Sequence, residues 1–375
     1  MTAATPLLVL VPGFPVDETD MSCLPAIQCY VEALGRRLPE GMVEVIAFQY
    51  PFECRSYSWR GISIHALGGG NSMIAKPRTW ARAMDAGRRV ISGRRQGVIH
   101  SFWLGECAFV GALLARRHAW KHVVSIGGRE VRRRTIYGLL LRRSAFLLTA
   151  GSAHAAAAAR SRLYREVDAV IPLGLDADRV ASVSPESPSW APDSPSTASD
   201  SPAPVPDNPS ASRDVDILTV GSLTPVKRTE DVIEVAARLV HRHPDLSVEI
   251  VGDGPERAKL ERRIRAAGLG DHVVLRGHLP RGDVLRLMRR TRVLLHPSEY
   301  ESQGFVFLEA AASGAFVVCR DVGFRPQGAG IHVAAGVDEM ADRVGQCLDG
   351  PHPPGPVRVP TADESVDAFL KLYAG

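Results

Sequence analysis

Residues 292–319 read RVLLHPSEYESQGFVFLEAAASGAFVVC. Two short apolar runs, 292–296 and 315–319, flank a polar loop and a stretch of helical period over 304–313. A strand whose apolar residues run without alternation is covered on both faces. A helix between two such strands carries the chain back for parallel pairing. The segment therefore predicts one strand–helix–strand unit of a doubly covered parallel sheet.

The same grammar extends in both directions. Upstream, strands are expected at 216–220, 247–251 and 272–276, with helices at 229–242, 255–267 and 281–290. In the first half, strands are expected at 7–11, 43–48, 62–67, 98–102, 122–126, 145–150 and 169–172, with helical patterns at 25–38, 78–92, 106–118 and 152–164. A last helix is expected over 363–373. Between the halves lies 182–213, which holds eight prolines, ten serines and a single aromatic, Trp190, in 32 residues. That composition buries too little apolar surface to offset chain entropy, and predicts a disordered or semi-extended linker. The expected organisation is α/β. A Rossmann-like domain over 1–181 faces a second over 214–355 across a cleft, with the linker at 182–213 and a C-terminal helix within 356–375. Ligands bind at the carboxyl ends of the strands in such sheets.

Composition limits the function classes. Hydrophobic residues make up 45% of the 375 and charged residues 23%, a globular profile. A net charge of +4 is too small to make the whole molecule a nucleic-acid binder by bulk charge. The basic residues cluster in the first half, as Arg36-Arg37, Arg94-Arg95, Arg116-Arg117, Arg132-Arg133-Arg134 and Arg142-Arg143. These are either solvated helix faces or a surface for anionic groups, such as lipid headgroups or a lipid-diphosphate acceptor. Six cysteines show no CxxC spacing and no zinc pattern, which predicts free thiols in a reducing cytoplasm. No apolar run approaches the roughly 20 residues of a membrane span. The opening residues lack the basic start of a signal peptide. The expected setting is therefore cytoplasmic, with peripheral contact at the inner membrane face if the arginines meet lipid.

Three segments of the second half carry candidate chemistry. Val220-Gly221-Ser222-Leu223-Thr224-Pro225-Val226-Lys227-Arg228 runs from a strand end to a helix start, where N–H groups and a positive dipole end point outward. Lys227 stands beside that end, placed to hold phosphate or simply solvated. Val251-Gly252-Asp253-Gly254-Pro255-Glu256 is a second such turn and reads mainly as structural. The third is His296-Pro297-Ser298-Glu299-Tyr300-Glu301-Ser302-Gln303-Gly304-Phe305-Val306-Phe307-Leu308-Glu309-Ala310. Eight residues at helical rise separate Glu301 and Glu309 by about 12 Å, the scale of a sugar diphosphate nucleotide. One carboxylate would accept hydroxyls from the sugar and the other from the ribose. Two carboxylates at a helix start otherwise serve only to complement its dipole.

In order and spacing these segments resemble the donor-binding half of retaining glycosyltransferase family 4, the glycosyl transferases group 1 of GT-B architecture. The resemblance runs over 214–323, through Gly221-Ser222-Leu223…Lys227, Gly252-Asp253-Gly254-Pro255 and Pro297-Ser298…Glu301…Gly304…Glu309-Ala310…Gly314. It implies that Lys227 binds the donor diphosphate, Glu309 the ribose, and Glu301 the transferred sugar. Backbone groups at Gly304 and Phe305 would face the phosphates. Ser222 stands where many members carry Arg, Arg228 where Gly is frequent, and Gln303 where Phe is frequent. Arg228 is then the candidate to replace the missing charge. A looser resemblance over 6–180 makes Gly13 a candidate under the donor phosphates and His100 a candidate contact to sugar or acceptor. It also offers Arg129 and Glu130 as acceptor contacts, and 171–176 as the hinge.

The resemblance implies a retaining transferase that moves a hexose-type sugar from a nucleotide diphosphate sugar to a glycan or lipid-linked acceptor, as in polysaccharide or glycoconjugate biosynthesis. The sequence has no DxD after a strand, so neither a metal nor a cofactor is expected. A nucleotide-sugar epimerase or hydrolase on the same fold and a binding protein that has lost catalysis are the alternatives. A dinucleotide oxidoreductase is excluded, because no strand–GxGxxG–helix with a downstream acidic residue is present.

Overall fold

The computed structural model describes residues 5–128, 130, 135–141, 143–176, 180, 213–352, 354–355 and 357–375. Two doubly covered sheets form the molecule. The first half builds eight strands: β1 (Leu7–Gly13), β2 (Val43–Tyr50), β3 (Cys54–Trp59), β4 (Ile62–Leu67), β5 (Val98–Phe102), β6 (Lys121–Ser125), β7 (Leu147–Ala150) and β8 (Ala169–Val170). Their order is β3-β4-β2-β1-β5-β6-β7-β8. Helices α1 (Pro25–Arg37), α2 (Lys76–Ile91), α3 (Glu106–His118), α4 (Ile136–Leu140) and α5 (Ala153–Leu163) accompany them. Strands β1 and β2 are buried almost throughout because Leu7, Val9, Val45 and Ala47 face one layer while Leu8, Leu10, Ile46 and Phe48 face the other. This two-sided burial is what the unbroken apolar runs predict.

One edge departs from the parallel rule. β3 pairs antiparallel with β4 through a tight turn. Arg60 and Gly61 at the turn have φ of 48° and 78°, the double left-handed backbone that matches hairpin twist. Its residues, Cys-Arg-Ser-Tyr-Ser-Trp, are mostly exposed, so no apolar run marked the strand.

The second half builds β9 (Val215–Val220), β10 (Val248–Val251), β11 (Val273–Gly277), β12 (Thr291–His296), β13 (Phe316–Cys319) and β15 (Ile331–Val333), ordered β11-β10-β9-β12-β13-β15 and all parallel. The short strands β14 (Gln327–Gly328) and β16 (Val357–Arg358) pair antiparallel beside it. Helices α6 (Thr229–Leu239), α7 (Arg257–Ala266), α8 (Arg281–Arg289), α9 (Phe305–Ala312) and α10 (Val337–Asp349) cover the sheet. The quoted segment is thus β12–α9–β13, as its pattern predicts.

The last helix, α11 (Ala362–Ala374), returns to the first half. Ala362, Val366, Phe369 and Tyr373 are buried in the same core as β1, β2 and α1. The chain therefore passes between the halves twice, side by side. Leu175 bridges to Thr361, Leu175 N–H donates to Pro360 O at 2.9 Å, and Gly174 N–H donates to Ser365 Oγ at 2.7 Å. The linker expectation for 182–213 falls outside the described residues except for Arg213. Among the described residues no helix is long and apolar enough to cross a membrane.

Candidate functional site

The carboxyl ends of β9 and β12 place the candidate residues. β9 ends at Val220, and the chain turns through Gly221 into a short 3-10 turn over Pro225–Lys227 before α6 begins. β12 ends at His296, and its loop lies against that turn. Glu299 N–H donates to Val226 O at 2.9 Å, and Ser298 Oγ donates to Val226 O at 3.3 Å. These bonds hold the two loops in register. They bring Lys227 Nζ onto Glu301 Oε1 in a short ion pair. His296 Nε2 lies 2.7 Å from the same oxygen, its ring almost wholly buried and edge-on to Phe307. Burial pushes the Glu301 carboxyl up, but the His296 hydrogen bond and the Lys227 charge outweigh it and hold the group at about 2. Glu301 is therefore a fixed carboxylate at neutral pH.

Three residues further on, Gly304 caps α9 with φ 79°, a left-handed backbone that strains any residue with a Cβ. No side chain caps this helix start. Its first N–H groups and positive dipole end are therefore left to a ligand or to solvent. Phe305 follows as the first helical residue.

Glu309 lies one turn deeper in α9 and is nearly buried. Arg281 Nε and Nη2 both donate to Glu309 Oε1, at 2.9 and 2.7 Å. Burial pushes the Glu309 carboxyl up, and the guanidinium opposes that push. Arg281 Nη1 is itself buried, with no hydrogen-bond partner among the described residues. Arg281 opens helix α8, where the dipole disfavours a cation. That misplaced charge was the one available sequence signal for it, and it was missed.

A cavity of about 260 Å³ lies between the halves. Glu301, Gln303, Gly304 and Phe305 line one side, and Leu24 and Trp103 are among the residues lining the other. Glu301, Gly304 and Phe305 therefore line one cleft, Lys227 is paired with Glu301, and Glu309, further along α9, is held by Arg281 at the start of α8.

Other candidates lie elsewhere. His100 is fully buried, bonded through Nδ1 to Tyr30 and Tyr373 and through Nε2 to Ser125. The expected contact to sugar or acceptor is not available to it, because its strand turns it into the core. Glu130 Oε1 accepts from the N–H groups of Gly127 and Leu104, and the residue is buried there. Arg129 lies outside the described residues. Gly13 ends β1 close against Tyr50 and Cys23. Ser222 is exposed in the first turn. Arg228 turns toward Glu230, Asp231 and Glu299, at 3.4, 3.0 and 3.7 Å, so its charge is already engaged by acids. The Gly252–Gly254 turn is laced to the first by Leu223 N–H to Asp253 O and Glu256 N–H to Leu223 O, a packing role.

Residues 204–353 match the family described as Glycosyl transferases group 1. The chain is 35% identical over 141 residues to the alpha-D-kanosaminyltransferase of Streptomyces kanamyceticus, which is 36% of each chain. It is 34% identical over 118 residues to the phosphatidylinositol N-acetylglucosaminyltransferase gpi3 subunit of Schizosaccharomyces pombe, covering 31% of this chain and 26% of that one. The match thus spans about a third or less of these curated relatives. Among solved structures, Anabaena Alr3699/HepE in complex with UDP and glucose aligns at TM-score 0.62 and 15% identity, over 98% of this chain and 95% of that one. Sucrose-phosphate synthase from Thermosynechococcus elongatus aligns at TM-score 0.67 and 16% identity, over 98% and 94%. These two share the fold over the whole length, and the family match falls on the half that holds Lys227, Glu301 and Glu309. Residues 204–353 of this chain are thus similar to the glycosyl transferases group 1 family, and the whole chain has the two-domain GT-B fold.

Proposed function

We propose that this protein is a retaining glycosyltransferase of the family 4 kind. It moves a hexose-type sugar from a nucleotide diphosphate sugar to a glycan or lipid-linked acceptor. The observation that carries this reading is the cluster of Lys227, His296 and Glu301 beside the uncapped start of α9, with Glu301, Gly304 and Phe305 lining an interdomain cavity. A cation and aligned N–H dipoles suit a diphosphate, whose charge grows as the sugar leaves. A carboxylate that stays ionised suits the sugar hydroxyls. Glu309, oriented by Arg281, suits the ribose. The names of similar proteins support a nucleotide-sugar donor, since a structural neighbour holds UDP and glucose.

In this mechanism the acceptor oxygen bonds to the anomeric carbon from the face that the diphosphate leaves. The sugar–phosphate bond breaks, and the acceptor proton passes to a departing phosphate oxygen. Lys227 and the helix start carry the leaving charge, so the chain's own groups supply what a metal would supply elsewhere. Closure of the cleft keeps water from the sugar.

A thermal-shift screen against UDP-, GDP- and ADP-sugars with EDTA present, run beside Glu309→Ala, tests this reading. Selective stabilisation by one nucleotide class, lost in the variant, supports it. No shift with any donor at millimolar concentration undermines the catalytic reading and favours the alternative of a degenerate protein that has lost catalysis.

A further inference from the structure

The loop that carries Glu301 is tied to the other half of the molecule through the side chains of Gln303 and Ser152. Gln303 Oε1 accepts from Leu173 N–H at 2.8 Å, and Gln303 Nε2 donates to Leu173 O. The carboxamide thus pairs with a whole peptide unit, as one strand pairs with another, and this fixes which end is oxygen and which is nitrogen. Leu173 belongs to the first passage between the halves, and its neighbour Gly174 is bonded on the other side to Ser365 of the returning helix. The Gln303 backbone is held too: Phe324 N–H donates to its oxygen at 2.6 Å. Next to it, Ser152 Oγ of the first half donates to Ser302 O at 2.7 Å. Glu301, Ser302 and Gln303 therefore line the cavity as a braced span between donor half and hinge.

We propose that Gln303 is a positioning residue that clasps the Glu301 loop to the hinge and so sets how closely the two halves meet over the transferred sugar. This rests on the donor-site reading above. The argument is geometric. A neutral amide that satisfies both groups of a part-buried peptide leaves nothing unpaired while it is closed. If it opens, the peptide of Leu173 and the amide both lose partners beside an apolar cavity, so the closed arrangement is favoured. Glu301 is two residues away in a loop with little slack. Its alignment with Lys227 is then coupled to the hinge angle.

The test uses the full chain with a nucleotide-sugar that it turns over. Gln303→Met keeps length and removes both bonds, and Gln303→Asn keeps the amide one methylene short. UDP alone is the binding probe, because the nucleoside diphosphate is held by Lys227, Glu309 and the start of α9. For both variants UDP affinity should stay within about twofold, while kcat for transfer falls about 10- to 100-fold, the scale of a small misalignment of reacting groups. The share of donor lost to water should rise, with free sugar and nucleoside diphosphate released, because a looser cleft admits water. If wild type and both variants share kcat and the same hydrolysis fraction, the clasp is overturned. If either variant loses UDP affinity in proportion to kcat, Gln303 serves the fold of the donor site and the clasp is again overturned. If wild-type protein binds no nucleoside diphosphate at all, the donor-site reading fails instead, which is a separate result.

Discussion

Tyr373 Oη and His100 Nδ1 lie 2.6 Å apart, joining the last helix to the fifth strand of the first half. Tyr30 bonds to both, and His100 Nε2 carries the chain on to Ser125 and Thr149. Lys121 Nζ also donates to the carbonyls of Leu372 and Tyr373, both at 3.1 Å. The C-terminal helix is thus part of the first domain's core, held by a buried polar chain as well as by Phe369 and Val366.

Tyr373→Phe should cost about 1–2 kcal/mol of stability, since two buried bonds are lost while His100 and Tyr30 keep each other as partners. Removal of 362–375 should instead unfold the first domain, because it uncovers an apolar layer. Urea denaturation of the two variants separates these outcomes. Equal and small effects would show that the helix only rests on the surface.

Lys227→Ala should leave the fold intact and lower kcat/KM for the donor by about 100-fold or more, the usual loss when a fixed group facing transition-state charge is removed. Steady-state kinetics against the donor check it. An unchanged value would place the diphosphate elsewhere.

Arg281→Ala leaves the Glu309 carboxylate buried and unpaired, which should cost about 3–5 kcal/mol. The double change Arg281→Met with Glu309→Gln removes both charges and should recover most of that stability while UDP stays unbound. Chemical denaturation with calorimetric titration of UDP reads both arms. Recovery of UDP binding in the double variant would remove Glu309 from the donor site.

Glu301 titrates at about 2 in the folded chain against an ordinary 4.5. A depressed carboxyl stabilises the fold at pH above its unfolded value, by roughly 3 kcal/mol here. That contribution is lost as pH falls from about 4.5 through 2. Denaturant midpoints at pH 6 and pH 3 should therefore draw closer together in Glu301→Gln than in wild type. An identical pH dependence would mean that the ion pair is not formed in solution.

A methyl group on Gly174 would stand 1.9 Å from Thr361 O and 2.1 Å from its carbonyl carbon. Gly174→Ala should force the two interdomain passages apart and lower the melting temperature by several degrees, about 1–3 kcal/mol in a chain of this size. A melting curve unchanged from wild type would show that the passages do not touch.

Most of the sheet was legible because burial on both faces leaves unbroken apolar runs, as at Leu7–Gly13 and Thr291–His296. β3 was not, since an edge strand of Arg, Ser and Tyr carries no such run. Helix α10 was present in the spacing of Met340, Val344 and Cys347 and was overlooked between glycine-rich neighbours. The placement of Lys227 and Glu301 could be read by order and spacing because each lies in a local strand-to-helix turn. His100 was misread because a strand alone does not say which face meets the core, and its partner Tyr373 lies in the final helix. The pairing of Gln303 with Leu173 likewise joins distant segments, which spacing does not encode.

Because the outgoing passage at 172–175 and the returning passage at 359–362 run together and are cross-bonded, the halves are joined like a door on a two-leaf hinge. Bonds between the two passages oppose sliding and splaying more than they oppose a rotation about the hinge.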